Sequence, residues 1–148
     1  MQSIIYKGPG KFAIEDRPKP IIKKADDVMI KVLGVCICGT DINIFATPQK
    51  HPSRPGIIFG HEFCGQVVEV GEAVTSLKPG DKVIVDPHGP CGYCDACRAG
   101  LPEMCKNLYL DEPGLEGQAN AMGVFKDGGL TSYTLVPEKF AYKIAADT

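Results

Sequence analysis

The sequence predicts a mainly β, barrel-like domain with short helices, and three observations support this class. Short apolar runs recur along the chain, separated by glycine–proline turn signals such as residues 8–10 and 78–81. Little of the chain has helical periodicity. A long segment, about residues 87–120, carries no sustained period at all. Such a segment inside a compact domain needs another source of order.

The predicted elements follow one another in short steps. Val28, Ile30 and Val32 alternate with their neighbours, which predicts a half-buried strand that begins near Asp26 and ends near Gly34. A short helical turn is expected at residues 40–45, and the proline-rich loop 47–56 is a candidate for lining a site. The other strands are predicted at residues 2–7, 12–17, 63–70, 82–85, 130–136 and 140–144.

The composition is that of an ordinary globular domain. The chain has 148 residues, of which 44% are hydrophobic and 23% charged, which suits one domain with its own core. The net charge of −2 gives no electrostatic reason to expect nucleic acid or an acidic membrane as a partner. The first residues lack the apolar core of a signal peptide, and no apolar run reaches transmembrane length. We therefore expect a cytoplasmic protein with no membrane partner.

Four of the seven cysteines fall within the irregular segment, at Cys91, Cys94, Cys97 and Cys105. Without a signal peptide, clustered cysteines more often indicate metal than disulfides. Zinc takes four thiolates at tetrahedral corners, and closely spaced cysteines can wrap it with little backbone strain. Because all four positions would be filled, the predicted zinc is structural, and the lobe at about residues 87–120 would fold around it.

These four cysteines have two other possible interpretations. They could be reduced thiols that pack as small hydrophobic side chains, although the spacing then lacks a purpose. They could also hold an iron–sulfur cluster. Bacterial ferredoxins place three residues before their fourth cysteine and a proline after it, whereas here seven residues precede Cys105 and Lys106 follows it. Zinc is therefore the preferred metal.

A second group of candidate ligands lies upstream, in residues 38–41 and 60–62. Cys38 supplies a thiol, and His61 and Glu62 place an imidazole beside a carboxylate. The simpler interpretation is that His61 is a core histidine and Asp41 a residue that begins a helix. The grouping instead suggests an incomplete catalytic zinc site, because an open coordination position admits a substrate.

The spacing of these residues resembles a known family signature. Gly60-His61-Glu62 is followed by Gly65, Gly71 and Val74, a pattern similar to that of zinc-dependent medium-chain alcohol dehydrogenases. Residues 38–41 and the four-cysteine lobe are similar to two further motifs of that family, in the same order, so that the resemblance spans about residues 26–144. It implies a GroES-like irregular β-barrel and a catalytic domain that occupies residues 1–148.

The resemblance also implies a role for each site residue. Cys38 and His61 would bind the catalytic zinc, with Glu62 as a further ligand or a near neighbour of the metal. Asp41 would hold His61 and fix its tautomer, and Thr40 would accept a proton from the alcohol. The catalytic zinc of alcohol dehydrogenase is bound by two cysteines and one histidine.

By the same resemblance, the full-length protein would carry one structural and one catalytic Zn²⁺. It would oxidise a small alcohol or polyol by hydride transfer to NAD or NADP, and it would be a homo-oligomer. The third catalytic ligand is expected just past Thr148, and the glycine-rich nicotinamide-binding (Rossmann) domain is expected outside this chain. The chain alone is therefore expected to be inactive.

Some relatives in that family carry a proton-relay histidine where this sequence has Asn43. The route of the proton is thus left open between His51 and a chain of waters. Otherwise His51 and His88 are expected to be loop or structural residues.

Two alternative functions remain open at this stage. The chain could be a stand-alone GroES-like module that keeps the barrel and the structural zinc as a binding or interaction unit. It could also be a zinc-knuckle nucleic-acid binder, but it lacks the clusters of basic residues that such proteins use. The order of the three motifs favours the dehydrogenase over both.

Overall fold

The computed structural model describes residues 1–109 and 116–145. Within these ranges it contains seven strands, two short α-helices and three turns of 3₁₀ helix at residues 102–104, 106–108 and 138–140. The strands and helices, in chain order, are β1 (Gln2–Gly8), β2 (Lys11–Asp16), β3 (Asp27–Cys36), α1 (Gly39–Phe45), β4 (Glu62–Val70), β5 (Lys82–Val85), α2 (Asp95–Arg98), β6 (Tyr133–Pro137) and β7 (Ala141–Lys143).

The strands form two antiparallel sheets. One is the hairpin of β1 and β2, and the other has five strands in the order β6-β3-β4-β5-β7. The mainly β prediction is confirmed, and all seven expected strands are present with ends shifted by a few residues. No helix in the described part of the chain is long and apolar enough to cross a membrane.

The pairing of β3 with β4 is interrupted by two bulges. One leaves Val68 of β4 without an opposite residue, and the other leaves Leu33 of β3 without one. A bulge shifts the alternation of a strand by one residue, so that Val35 packs against the core and Leu33 is 59% exposed. The predicted end near Gly34 is two residues short, because the bulge interrupts the period-two pattern while the strand continues to Cys36.

The first part of β3 is more buried than its pattern predicts. Val28, Met29 and Ile30 are all almost fully buried, with exposures of 0%, 2% and 0%. The expectation of a half-buried strand is therefore wrong for these residues. β3 lies inside the sheet between β4 and β6, and strands inside a sheet can be buried on both faces.

Two clusters of buried apolar side chains support the region between β3 and β4. The larger lies against the five-stranded sheet and includes Val67, Val83 and Val136. The smaller packs Tyr6 of β1 against Ile44 of α1 and against residues just before β4 and in the segment 121–125. Because α1 and the segment just before β4 share this smaller cluster, these two parts of the chain are held close together.

The chain between β5 and β6 forms the predicted irregular lobe. Among its described residues there are only α2 and two turns of 3₁₀ helix. Its base is closed where the backbone N–H of Met122 donates to the carbonyl of Pro87, at 3.1 Å. His88 and Gln118 lie just inside this closure, on the two chain segments that leave and rejoin the barrel.

We expect Gly65→Ala to destabilise the domain by about 1–3 kcal/mol, the usual cost of an overpacked core. An added Cβ at Gly65 would overlap the carbonyl oxygen of Lys31 and the side chain of Ile30, and would force β3 and β4 apart. Gly39→Ala is the matched control, since nothing lies within 4 Å of its added Cβ. Urea unfolding followed by circular dichroism measures both; equal midpoints for the two variants would contradict the prediction.

Candidate metal centres

Cys38 lies at the N-terminal cap of α1, where its sulfur is already an acceptor. The backbone N–H of Thr40 donates to Cys38 Sγ at 3.3 Å, and the N–H of Cys38 donates to Asp41 Oδ2 at 2.9 Å. This reciprocal capping box fixes the first turn of the short helix. It also holds the thiol and the carboxylate on the same side of the turn.

The backbone that carries His61 is held by close packing around Gly60. Gly60 has a φ of +89°, in the region that favours glycine, and its carbonyl accepts a hydrogen bond from Gly129 N–H at 2.8 Å. Gly123 and Gly128 lie so close to this carbonyl that a Cβ on either would overlap it. His61 therefore enters the site from a peptide that has little freedom to move.

The imidazole of His61 lies between Cys38 and Asp41. Its Nε2 is 3.1 Å from Cys38 Sγ, and its Nδ1 is 3.2 Å from Asp41 Oδ1. The Nδ1–Oδ1 contact is close but poorly aligned for a hydrogen bond. Both atoms are buried, and neither has a hydrogen bond of good geometry. The contact with Asp41 raises the pKa of His61, and burial works in the opposite direction. A metal ion at Nε2 would need the neutral ring, with its proton on Nδ1 facing the carboxylate.

Glu62 is exposed and completes the group. One carboxylate oxygen of Glu62, Cys38 Sγ and one ring nitrogen of His61 all lie within 4.8 Å of one another. The separation of Cys38 Sγ and His61 Nε2, 3.1 Å, is shorter than the sum of a Zn–S bond of about 2.3 Å and a Zn–N bond of about 2.1 Å. One zinc ion can therefore reach both atoms. The residues fit an open site of three protein ligands.

The four cysteines of the lobe come together as the spacing predicts. The Sγ–Sγ distances are 3.9 Å for Cys91–Cys97, 3.5 Å for Cys94–Cys97 and 3.9 Å for Cys94–Cys105, and all four sulfurs lie within 4.8 Å of one another. Zn–S bonds of about 2.3 Å at tetrahedral corners require sulfurs about 3.8 Å apart. The lobe thus presents a closed set of four ligands.

The pKa values of Cys91, Cys94 and Cys97 are shifted in different directions. Burial acts to raise the pKa of Cys91, but hydrogen bonds from the backbone of Tyr93 and the side chain of Asn107 lower it to about 6. Burial raises the pKa of Cys97 to about 12. Backbone hydrogen bonds, first that of Cys97, lower the pKa of Cys94. Such a divergence is expected when one thiolate disfavours its neighbours, and a bound dication would favour all four thiolates.

A cavity of about 170 Å³ opens beside His61. Thr40 lines it, which places the predicted proton acceptor near the imidazole. His51, His88 and Gln118 line it as well. The sequence suggested that loop 47–56 lines a site and left His51 open as a route for the proton. Otherwise it predicted loop or structural roles for both histidines. Both do lie outside the strands and helices, but they face the cavity. Gln118 carried no signal in the sequence.

These observations define a class of protein. A GroES-like β domain with one closed set of four thiols and one open set of thiol, imidazole and carboxylate agrees with the zinc-dependent medium-chain dehydrogenases that the sequence resembles. The sequence matches the alcohol dehydrogenase GroES-like domain family over residues 24–146. The chain belongs to that family.

Individual relatives agree with this family. The L-threonine 3-dehydrogenase of Caldanaerobacter subterraneus subsp. tengcongensis is 43% identical over 115 residues, covering 76% of this chain and 30% of the relative. The galactitol-1-phosphate dehydrogenase of Escherichia coli superposes with a TM-score of 0.84 at 28% identity, and a protein of Sinorhizobium meliloti assigned as a zinc-binding dehydrogenase, with bound NADP, does so with 0.78 at 34%. Each of these structures is matched over 99% of this chain and 39% of its own length. The chain thus spans about two fifths or less of these relatives.

We expect Cys97→Ser and Cys38→Ser to separate the two metal sites. Cys97→Ser removes a ligand of the closed set, so it should abolish one zinc per chain and unfold the lobe locally, since metal binding and folding are coupled there. Cys38→Ser should also cost one zinc but leave the thermal unfolding of the domain nearly unchanged. Atomic absorption and circular dichroism measure the two effects. Equal loss of thermal stability in both variants would show that the division of roles is wrong.

Asp41→Ala tests how the Cys38/His61 site is held. Removing the carboxylate that faces His61 Nδ1 and accepts from Cys38 N–H should lower the zinc affinity of this site by about 10–100-fold, the usual effect of losing such a partner. The four-cysteine site should keep its zinc, because Asp41 has no contact with it. Competition with a chromogenic chelator measures the two affinities separately. Asp16→Ala serves as a control at an exposed aspartate outside the site, and an unchanged affinity in Asp41→Ala would contradict this role.

Proposed function

We propose that this chain is the zinc-binding catalytic domain of an NAD(P)-dependent dehydrogenase that oxidises alcohols or polyols by hydride transfer. The observation that supports this most directly is the contact between Cys38 Sγ and His61 Nε2, at 3.1 Å beside a cavity that Thr40 lines. A thiol and an imidazole so close together, with Glu62 within reach, form a ligand set with room for a further ligand. The order of the motifs and the family match support the same class.

The chemistry assigns each residue a task. Cys38, His61 and Glu62 would hold a zinc ion, which supplies the Lewis acidity that favours loss of the alcohol proton. Thr40 lies on the cavity wall with its hydroxyl as donor and acceptor, so it can take the proton of a bound alcohol and pass it on. Asp41 is 3% exposed and orients the imidazole of His61 from the side away from Cys38. Gly60 and its packed neighbours keep this arrangement rigid.

The remaining assignments belong to the same proposal. The GroES-like catalytic domain covers residues 1–148, with the structural zinc lobe at about residues 87–120. A nicotinamide-binding domain supplied by a longer polypeptide would bring NAD or NADP to the cavity, complete the coordination of the catalytic zinc and contribute to a homo-oligomer. NADP is present in the crystal of the Sinorhizobium meliloti relative, which supports a nicotinamide as the hydride acceptor.

We expect the 148-residue chain to bind zinc but to turn over no alcohol with NAD or NADP, because nothing in its assigned sites holds the hydride acceptor. The longer polypeptide that includes a nicotinamide-binding domain should be active, and Cys38→Ser in it should be inactive. The absorbance of reduced nicotinamide measures turnover. Turnover by the short chain would refute its predicted inactivity. Only trace zinc in unchelated protein, or full activity of Cys38→Ser, would refute the dehydrogenase assignment.

A further inference from the structure

The cavity beside His61 is lined by polar and by apolar residues. Besides Thr40 and His61, the polar residues are His51, His88 and Gln118. The apolar residues are Ala119, Ala121, Val124 and Phe125. A pocket for a simple alkyl alcohol needs polar groups only at the reacting oxygen. This pocket offers three more, from separate segments of the chain.

One of these three groups, His51, is restrained by local contacts. His51 Nδ1 lies 2.7 Å from the carbonyl oxygen of Pro52, so this nitrogen carries the proton and Nε2 is left as an acceptor. The loop that carries His51 is also held in place. Ser53 Oγ donates to the carbonyl of Val124 at 2.6 Å, which binds the loop to the segment that contains Val124. His88 Nδ1 lies 4.0 Å from Asp86 Oδ1. Polar groups restrained before a ligand arrives lose less entropy when they bind it.

The described residues that line this cavity include no aspartate, glutamate, lysine or arginine. Burial and the nearby His61 lower the pKa of His88, although Asp86 acts in the opposite direction, which favours the neutral ring. A charged substituent on the substrate would leave water without meeting an opposite charge among these described lining residues, which is costly. A neutral hydroxyl, by contrast, both donates and accepts, as imidazole and amide groups do.

The size of the cavity limits the part of the substrate that it holds. Its volume of about 170 Å³ corresponds to about six water molecules at about 30 Å³ each. A carbinol carbon with its immediate neighbours fits such a space. The polar groups of the wall therefore meet the substituents next to the reacting carbon rather than a distant part of the molecule.

From these observations we propose that the site selects neutral alcohols that carry a second hydroxyl next to the reacting carbinol, and that His51, His88 and Gln118 recognise this second hydroxyl. The inference rests on the proposed function and narrows its substrate class to vicinal diols and longer polyols. The three residues are specificity determinants. They do not touch the reacting atoms.

The test compares three probes that share one carbon frame: 2-butanol, 2,3-butanediol and 3-amino-2-butanol. They differ only in whether hydrogen, hydroxyl or ammonium lies next to the carbinol. The chain has three histidines, so a zinc-loaded sample with labelled imidazoles gives one NMR signal set for each of His51, His61 and His88. The diol should shift the His51 and His88 signals saturably, with a dissociation constant about tenfold lower than that of 2-butanol. This factor corresponds to about 1.4 kcal/mol.

Two variants make the test specific. Gln118→Leu should bring the dissociation constant of the diol to within about twofold of that of 2-butanol, because leucine replaces the amide with an apolar side chain of similar size. Gln2→Leu is the matched control on the exposed side of β1 and should keep the preference. The same preference and the same loss should appear in kcat/KM of the longer, active polypeptide.

The outcomes separate this inference from the proposed function. A zinc-loaded chain that binds the diol and 2-butanol equally, or shows no saturable shift with the diol, overturns the polyol inference and leaves the dehydrogenase assignment standing. Tighter binding of 3-amino-2-butanol than of the diol overturns the inference that the site selects neutral substrates. If zinc addition leaves the His61 signals unchanged, the zinc assignment fails independently of any alcohol.

Discussion

The antiparallel pairing of β3 with β4 is the constraint on which the candidate catalytic site depends. Cys36, the last residue of β3, lies opposite Glu62, the first residue of β4. The segments that carry Cys38 and His61 therefore adjoin the same end of this strand pair. The bulge at Leu33 sets the phase of the last residues of β3. Because of this register, two side chains that are 23 residues apart in the sequence lie 3.1 Å apart in space. A slip of one residue would send them to opposite faces.

The two groups of ligands are built in different ways. The four-cysteine set is local: its members lie within a segment of fifteen residues, 91–105, and the lobe has little regular structure of its own. The Cys38/His61 set is assembled by the sheet, the cap of α1 and the packing around Gly60. A local set can use metal as its source of order, whereas an assembled set is preorganised by the fold. This difference explains why one suits a structural ion and the other an ion that must accept a changing ligand.

The sequence predicted the features that depend on local pattern and spacing. The seven strands, the helical turn at α1 and the four-cysteine cluster follow from period, turn residues and cysteine arithmetic. The proximity of Cys38 and His61 followed from the resemblance, since no local rule brings these positions together. The burial of Met29 and the extension of β3 to Cys36 were not predictable. They depend on bulges and on neighbouring strands, which the period-two pattern does not show. Gln118 was missed because an irregular segment carries no signal of which side chains face a cavity.

The closure at the base of the lobe has a wider consequence. Met122 N–H binds the carbonyl of Pro87, and His88 and Gln118 lie just inside that hydrogen bond, at the two ends of the lobe. An ion held by the four cysteines would therefore order the lobe whose two ends carry His88 and Gln118 to the neighbouring pocket. The shape that a substrate meets would depend on a metal that never touches it. Evolution could then adjust selectivity by changing the lobe while leaving the reacting groups as they are.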